Sequence, residues 1–287
     1  MTFEELNNEI LSLQDIEGIE FFEVGASTFG QSIYGVHIGD YTGQQILIEG
    51  GIHAREYPST LVVVGILKYL ATIPLNGGIY AIPLVNPDGA RLVLDGVDWI
   101  NCEKQREFIL SVNNGSSDFG QWKASATSVD LNVNFDALWG KGSQNVFCPA
   151  PGNFIGYYPE SEREVRMLID FTYRVQPSLT LSYHTKGEVI YYGFELLTPE
   201  QLARDRELAE FIGSINGYIP TQTENSVGGY SDWVSEYLGV PAFTIEIGPV
   251  AAPTPIPLDL VPDAIERNKT VPEQLLIMLT NKNDQTP

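Results

Sequence analysis

The stretch Ile46-Leu47-Ile48-Glu49-Gly50-Gly51-Ile52-His53-Ala54-Arg55-Glu56 decides how the rest of the chain is read. Ile46-Leu47-Ile48 is a short apolar run that reads as a buried strand. Residues 59–70 are mostly apolar and read as a buried helix. The join between them carries a histidine, an arginine and a glutamate within four positions. His53 and Glu56 are three apart, so one turn can aim an imidazole nitrogen and a carboxylate at a common point. Zinc takes such ligands, and a catalytic zinc site uses three protein ligands with one position left open. The pair therefore calls for a third ligand far along the chain. Taken alone, these residues fit a loop with solvated charges equally well.

The length, 287 residues, suits one large domain or two small ones. With no internal repeat and no linker, the expectation is a single catalytic domain over 1–287. There are 37 acidic and 16 basic residues, for a formal charge of -21. Such a surface repels nucleic acid phosphates and anionic lipid, so neither nucleic acid nor membrane is expected as a partner. No signal-peptide pattern and no bilayer-length apolar run is evident, and the expected location is the cytoplasm. Cys102 and Cys148 do not make a disulfide framework, and two unpaired thiols are expected.

Outward from the opening stretch, helices alternate with apolar strands. A helix is expected over 2–15, with Thr2 and Glu5 as its capping box. Strands follow over 19–24 and 32–39, then over 78–85, ending in a turn at Asn86-Pro87-Asp88-Gly89. His37, inside a strand, reads as structural. Residues 95–128 lack periodicity and read as a long irregular excursion that forms a binding surface. A helix is expected over 161–173, a strand over 178–183 ending at His184, and another over 189–192. Thr198 caps a helix to about 215, and Gly228-Gly229 opens one to 237. A strand over 241–248, a Pro-rich loop and a last helix over 263–279 complete the chain. This order predicts an α/β three-layer sandwich with a central mixed, mostly parallel sheet flanked by helices.

Sites in such sheets form at the carboxyl ends of strands. His53 lies just past one strand, His184 ends another, and Glu246 sits in the apolar run Ala242-Phe243-Thr244-Ile245-Glu246-Ile247. His184 is the candidate third ligand; its alternative is a hydrogen-bonded core histidine. Burying the Glu246 carboxylate unpaired is costly. Either Arg55 or a lysine neutralises it, or it acts as a general base beside a metal.

With these residues in order, the chain resembles the zinc metallocarboxypeptidases of the carboxypeptidase A type. The resemblance implies one zinc ion held by His53, Glu56 and His184, with Glu246 as the catalytic base. It implies that Arg55 contacts substrate and that Asp130 hydrogen-bonds the first zinc histidine. It also implies that Asn132 helps hold the substrate carboxylate. Lys123 falls where the family usually has an arginine that polarises the scissile carbonyl; a solvated loop lysine is the other reading of it.

Two departures stand out. Val133 replaces the arginine that clamps a C-terminal carboxylate, and the substrate-capping tyrosine is replaced at about Glu224. The segments Trp122-Lys123-Ala124, Asp130-Leu131-Asn132, Tyr183-His184-Thr185-Lys186-Gly187-Glu188 and Gly228-Gly229-Tyr230-Ser231-Asp232-Trp233 resemble the bacterial γ-D-glutamyl-diaminopimelate endopeptidases. Ser231 falls at the position that sets side-chain preference. The expected substrate is therefore a peptide, a muropeptide of the bacterial wall. A carboxypeptidase or an N-acyl amino acid deacylase of the same fold is one alternative, and a non-catalytic wall-peptide binder is another.

Overall fold

The structure, a computed structural model, describes residues 1–283; the last four positions of the expected 1–287 domain lie outside the described residues. Eight strands form one sheet. They are β1 (Ile19–Ala26), β2 (Ser32–Gly39), β3 (Gln45–Gly50), β4 (Gly78–Ile82), β5 (Leu179–Thr185), β6 (Val189–Tyr192), β7 (Ile219–Gln222) and β8 (Ala242–Ile247). Their spatial order is β1-β2-β4-β3-β5-β8-β6-β7. The middle four, β4-β3-β5-β8, are mutually parallel. The sheet is mixed on both sides of that block: β2 joins β4 antiparallel, and β6 joins β8 antiparallel. The expectation of a mixed, mostly parallel sheet holds.

Alternation along the central strands sorts their side chains into two faces. On one face Ile46 and Ile48 of β3, Leu181 and Tyr183 of β5, and Phe243 and Ile245 of β8 join a continuous apolar core. That core is completed by α1 (Phe3–Leu11), α2 (Pro58–Leu70), α6 (Pro199–Asn216), α8 (Val261–Asn268) and α9 (Val271–Asn283). The opposite face packs on α5 (Arg163–Val175) and α7 (Tyr230–Leu238), through residues such as Leu47, Leu168, Tyr230 and Trp233. There the alternate positions turn polar toward the strand ends: Glu49, Ser182, His184, Thr244 and Glu246. The parallel register places Glu49 opposite Ser182 and His184 opposite Glu246.

Local chemistry explains most boundaries. Thr2 and Glu5 form the expected capping box of α1, and Thr198 and Gln201 form one at α6. Three expectations need correction. Asn86-Pro87-Asp88-Gly89 is not a free turn but the start of α3 (Pro87–Asp95): Asn86 caps it by accepting from Gly89 N, and Pro87 lacks only a hydrogen that a first helical turn does not use. Residues 95–128 contain α4 (Glu103–Val112) and build a small core of their own around Ile109, Phe119 and Trp122. Of that segment, only Lys123 lines the main cavity, so it is not the broad binding surface expected. The last helix is two helices, broken before Pro272, whose ring cannot continue a helix from the preceding turn. Strand β7, an Ile-Pro-Thr-Gln edge, carries too weak a pattern to be expected. Cys102 and Cys148 are both free and exposed, and no helix among the described residues is long and apolar enough to cross a membrane.

Candidate metal centre and substrate cavity

The loop after β3 sets the first two donors. Gly51 takes φ +61°, and a Cβ there would come within 2.6 Å of Leu84 Cδ1 and of Thr60 Oγ1, so only glycine passes. Ser59 Oγ accepts from Gly51 N, and Asn86 Nδ2 donates to Ile52 O, which pins the loop from both sides. His53 then precedes a single 3-10 turn, Ala54–Glu56, that swings Glu56 back over the sheet. His184 arrives from β5 two strand positions past Ser182.

Three donor residues converge. His53 Nδ1 is 3.0 Å from Glu56 Oε1, His184 Nδ1 is 3.0 Å from Glu56 Oε2, and the two Nδ1 atoms are 3.1 Å apart. All three residues are buried. A tetrahedral ion with ligand distances of about 2.0–2.1 Å spaces its donors about 3.3 Å apart, so this donor set fits one zinc ion.

The supporting groups fix the rings. His53 Nε2 faces Asp130 Oδ1 at 3.4 Å, where the resemblance put it. Asp130 also accepts from Asn132 N and Asn153 N, and its Oδ2 meets Lys123 Nζ at 2.9 Å. Burial alone would raise the Asp130 carboxyl, but the charges of Lys123 and His53 hold it well below the usual carboxylate range. Glu56, where burial also opposes ionisation, is held low by the two histidines, and Thr185 N donates to its Oε2. Glu246 goes the other way: burial and then the Glu56 carboxylate push it up to about 8, against the pull of His184, Lys123 and Arg55.

A cavity of about 390 Å³ opens beside the donors. His53, His184, Glu246, Lys123, Asn132, Ser231 and Glu224 all line it, so the structure brings together most of the residues singled out from sequence. Asn132 accepts from Tyr230 N through Oδ1, which leaves its amide hydrogens for the cavity. Ser231 Oγ pairs with Thr244 Oγ1 at 3.2 Å. Lys123 is no free loop lysine: Asp130 and Asn153 Oδ1 hold its ammonium. Arg55 is not among the lining residues; its Nη1 donates to Gln121 O at 3.2 Å, and it reaches Glu246 by charge. Val133 lines the wall, and Lys123 is the one lysine or arginine there among the described residues. Sequence reasoning missed Asp232, which also lines the cavity. Gly229 N donates to its carboxylate, and burial pushes it up to about 7. Its place three positions into α7 after Gly229 is a capping-box signal that marked a helix start rather than a cavity wall.

Two histidines and a glutamate at the carboxyl ends of parallel strands, with a buried carboxylate beside them, define a zinc metallopeptidase centre. The chain belongs to the zinc carboxypeptidase family, whose model matches residues 16–255. It is 31% identical over 249 residues to the gamma-D-glutamyl-L-diamino acid endopeptidase 1 of Lysinibacillus sphaericus, covering 81% of this chain and 61% of that one. The chain thus spans about three fifths of the length of that relative. Among solved structures it superposes on bovine thrombin-activatable fibrinolysis inhibitor, bound to a tick carboxypeptidase inhibitor, with TM-score 0.74 at 18% identity, covering 98% of each chain. It also superposes on the murein-tripeptide amidase of Escherichia coli O157, with TM-score 0.57 at 21% identity over 93% and 92% of the two chains. These two likenesses concern the fold.

Proposed function

We propose that the protein hydrolyses the amide bond between γ-D-glutamate and a diamino acid, diaminopimelate, in peptides of the bacterial wall. The observation that carries this reading is the cavity wall at Val133. An enzyme that removes C-terminal residues needs a cation there for the free carboxylate. Here the wall carries Val133, and the one lysine or arginine of the lining, Lys123, is tied to Asp130. The remaining wall, with Ser231, Thr244 and Asp232, offers hydroxyls and a carboxylate to an amine-bearing side chain. The relative from Lysinibacillus sphaericus is named for a gamma-D-glutamyl-L-diamino acid bond.

His53, Glu56 and His184 would hold a zinc ion, which when bound would supply Lewis acidity toward water and the scissile carbonyl. Glu246 takes a proton from the attacking water as its oxygen bonds to the carbonyl carbon. It returns that proton to the leaving nitrogen as the carbon–nitrogen bond breaks, so an acid and a free amine result. Lys123 faces the developing negative charge on the carbonyl oxygen as a point charge, with Arg55 adding to the field from outside the cavity. Asn132 donates through its amide, Ser231 contacts the substrate side chain, and Glu224 stands at the rim where the capping tyrosine is missing.

The test offers two substrates to the zinc-loaded protein: an L-alanyl-γ-D-glutamyl-diaminopimelyl peptide, and a blocked dipeptide ending in phenylalanine. Release of a diaminopimelate amine from the first, read by mass spectrometry, is expected. Cleavage of the second alone would make the protein a carboxypeptidase, and binding of the first without cleavage would make it a binder.

A further inference from the structure

Each metal-facing histidine has a buried carboxylate behind it, and only one of the two has a recognised partner set. Behind His53 stands Asp130. Behind His184 stands Glu49, the last side chain of β3 before its terminal glycine. Glu49 is fully buried, and its Oε1 lies 4.0 Å from His184 Nε2. The β3–β5 register explains the approach: Glu49 is opposite Ser182, and His184 is two positions further along the same face of the neighbouring strand. Among the described residues, neither oxygen of Glu49, nor His184 Nε2, nor Ser182 Oγ has a hydrogen-bond partner. Four buried polar atoms without partners in one place are costly. One arrangement satisfies the set. His184 Nδ1 faces Glu56 Oε2 and His53 Nδ1; with a zinc ion among these donors Nδ1 would carry no hydrogen, so a neutral ring would carry it on Nε2, aimed at the Glu49 carboxylate.

We propose that Glu49 is the positioning residue for His184. It accepts the Nε2 hydrogen, either across a slightly closed gap or through one water shared with Ser182 Oγ, and so commits Nδ1 to the metal. A carboxylate behind a ligating imidazole fixes its tautomer and orientation and strengthens it as a ligand. This assignment needs the zinc site but not the substrate proposed above, and it explains an acid that directly follows the apolar run Ile46-Leu47-Ile48 in a buried strand.

The experiment uses the whole chain with Glu49→Leu, Glu49→Gln and, as a control for loss of a buried acid elsewhere, Glu164→Gln. Zinc affinity is measured by competition with a chelating dye, and thermal unfolding is followed on the metal-free proteins. Glu49→Leu is expected to bind zinc about 10–100-fold more weakly while the metal-free protein unfolds at or above the wild-type temperature. Glu49→Gln, whose carbonyl still accepts, is expected to lose less, and Glu164→Gln nothing. Nitrogen-15 spectra of the zinc-loaded protein read the tautomer directly: His184 is expected as the Nε2–H form in wild type. If Glu49→Leu does not fold, the Nε2–H proton resonance of His184 in Glu49→Gln decides, since loss of the charged acceptor must move it upfield. Zinc affinity within threefold of wild type in a folded Glu49→Leu, or an unmoved resonance in Glu49→Gln, overturns the assignment. Failure of the substrate reading would leave all of these readouts intact.

Discussion

Lys123 Nζ lies 2.9 Å from Asp130 Oδ2, while the other oxygen of that carboxylate lies 3.4 Å from His53 Nε2. The cation that faces the cavity is therefore wired to the backing of the first metal histidine. Removing it leaves a fully buried carboxylate with the His53 ring and the hydrogen bonds from Asn132 N and Asn153 N as its remaining partners. Lys123→Ala is expected to lower the unfolding free energy by about 2–3 kcal/mol and to weaken substrate turnover. Lys123→Arg, which keeps the charge, is expected to retain most of both. Denaturant unfolding checks the first effect and steady-state kinetics the second; an unchanged midpoint in Lys123→Ala would return the residue to a solvated loop lysine.

Glu246, the proposed base, stands opposite His184 in register and lines the cavity. Glu246→Gln keeps the shape and removes the base. Turnover is expected to fall by about 10²–10⁴-fold, with zinc content unchanged by metal analysis. Activity within tenfold of wild type would assign the base elsewhere.

Val133 explains the proposed lack of affinity for a free C-terminal carboxylate. Val133→Arg introduces the missing clamp. Charge-assisted hydrogen bonds of this kind contribute about 1.5–3 kcal/mol, so KM for peptides with a free terminal carboxylate is expected to fall by roughly tenfold or more. Peptides amidated at that end should be unaffected, and a uniform change in both would contradict the reading.

Glu164 gives a pH signature away from the metal. It is fully buried on α5 and accepts from Thr28 N and Thr28 Oγ1. Burial, aided by the Asp88 and Glu162 carboxylates, pushes it up to about 7 from an ordinary 4.5. Between those values the folded chain keeps a proton that the unfolded chain has released. Stability from this group is therefore complete below about pH 4.5 and is lost as pH rises through about 7. The unfolding free energy of Glu164→Gln relative to wild type is expected to climb over that window, by on the order of 3 kcal/mol in all. A difference independent of pH would mean that Glu164 titrates normally.

The legible parts of the chain were those in which local chemistry repeats a known signal. Thr2 with Glu5 and Thr198 with Gln201 mark helix starts because a side chain must satisfy free backbone hydrogens there. Leu179-Thr180-Leu181-Ser182-Tyr183-His184 alternates because one face of β5 meets the core and the other the site. Asn86 misled because Asn-Pro starts turns and helices alike. Residues 95–128 misled because their order comes from tertiary burial of Trp122 and Phe119, which no short-range period announces.

The sequence by itself picked out the candidate donor set, the proposed base and the family resemblance, since zinc favours histidine and carboxylate ligands such as His53, Glu56 and His184, and Glu246 follows them in a recognisable order. The resemblance had already set Asp130 behind His53; tertiary structure alone decided what else each donor leans on. Asp130, Lys123 and Asn153 meet behind His53, and Glu49 and Ser182 meet behind His184, through strand register and loop closure. These contacts join residues from seven to more than a hundred positions apart, and a carboxylate at 3–4 Å acts through a distance that only folding sets.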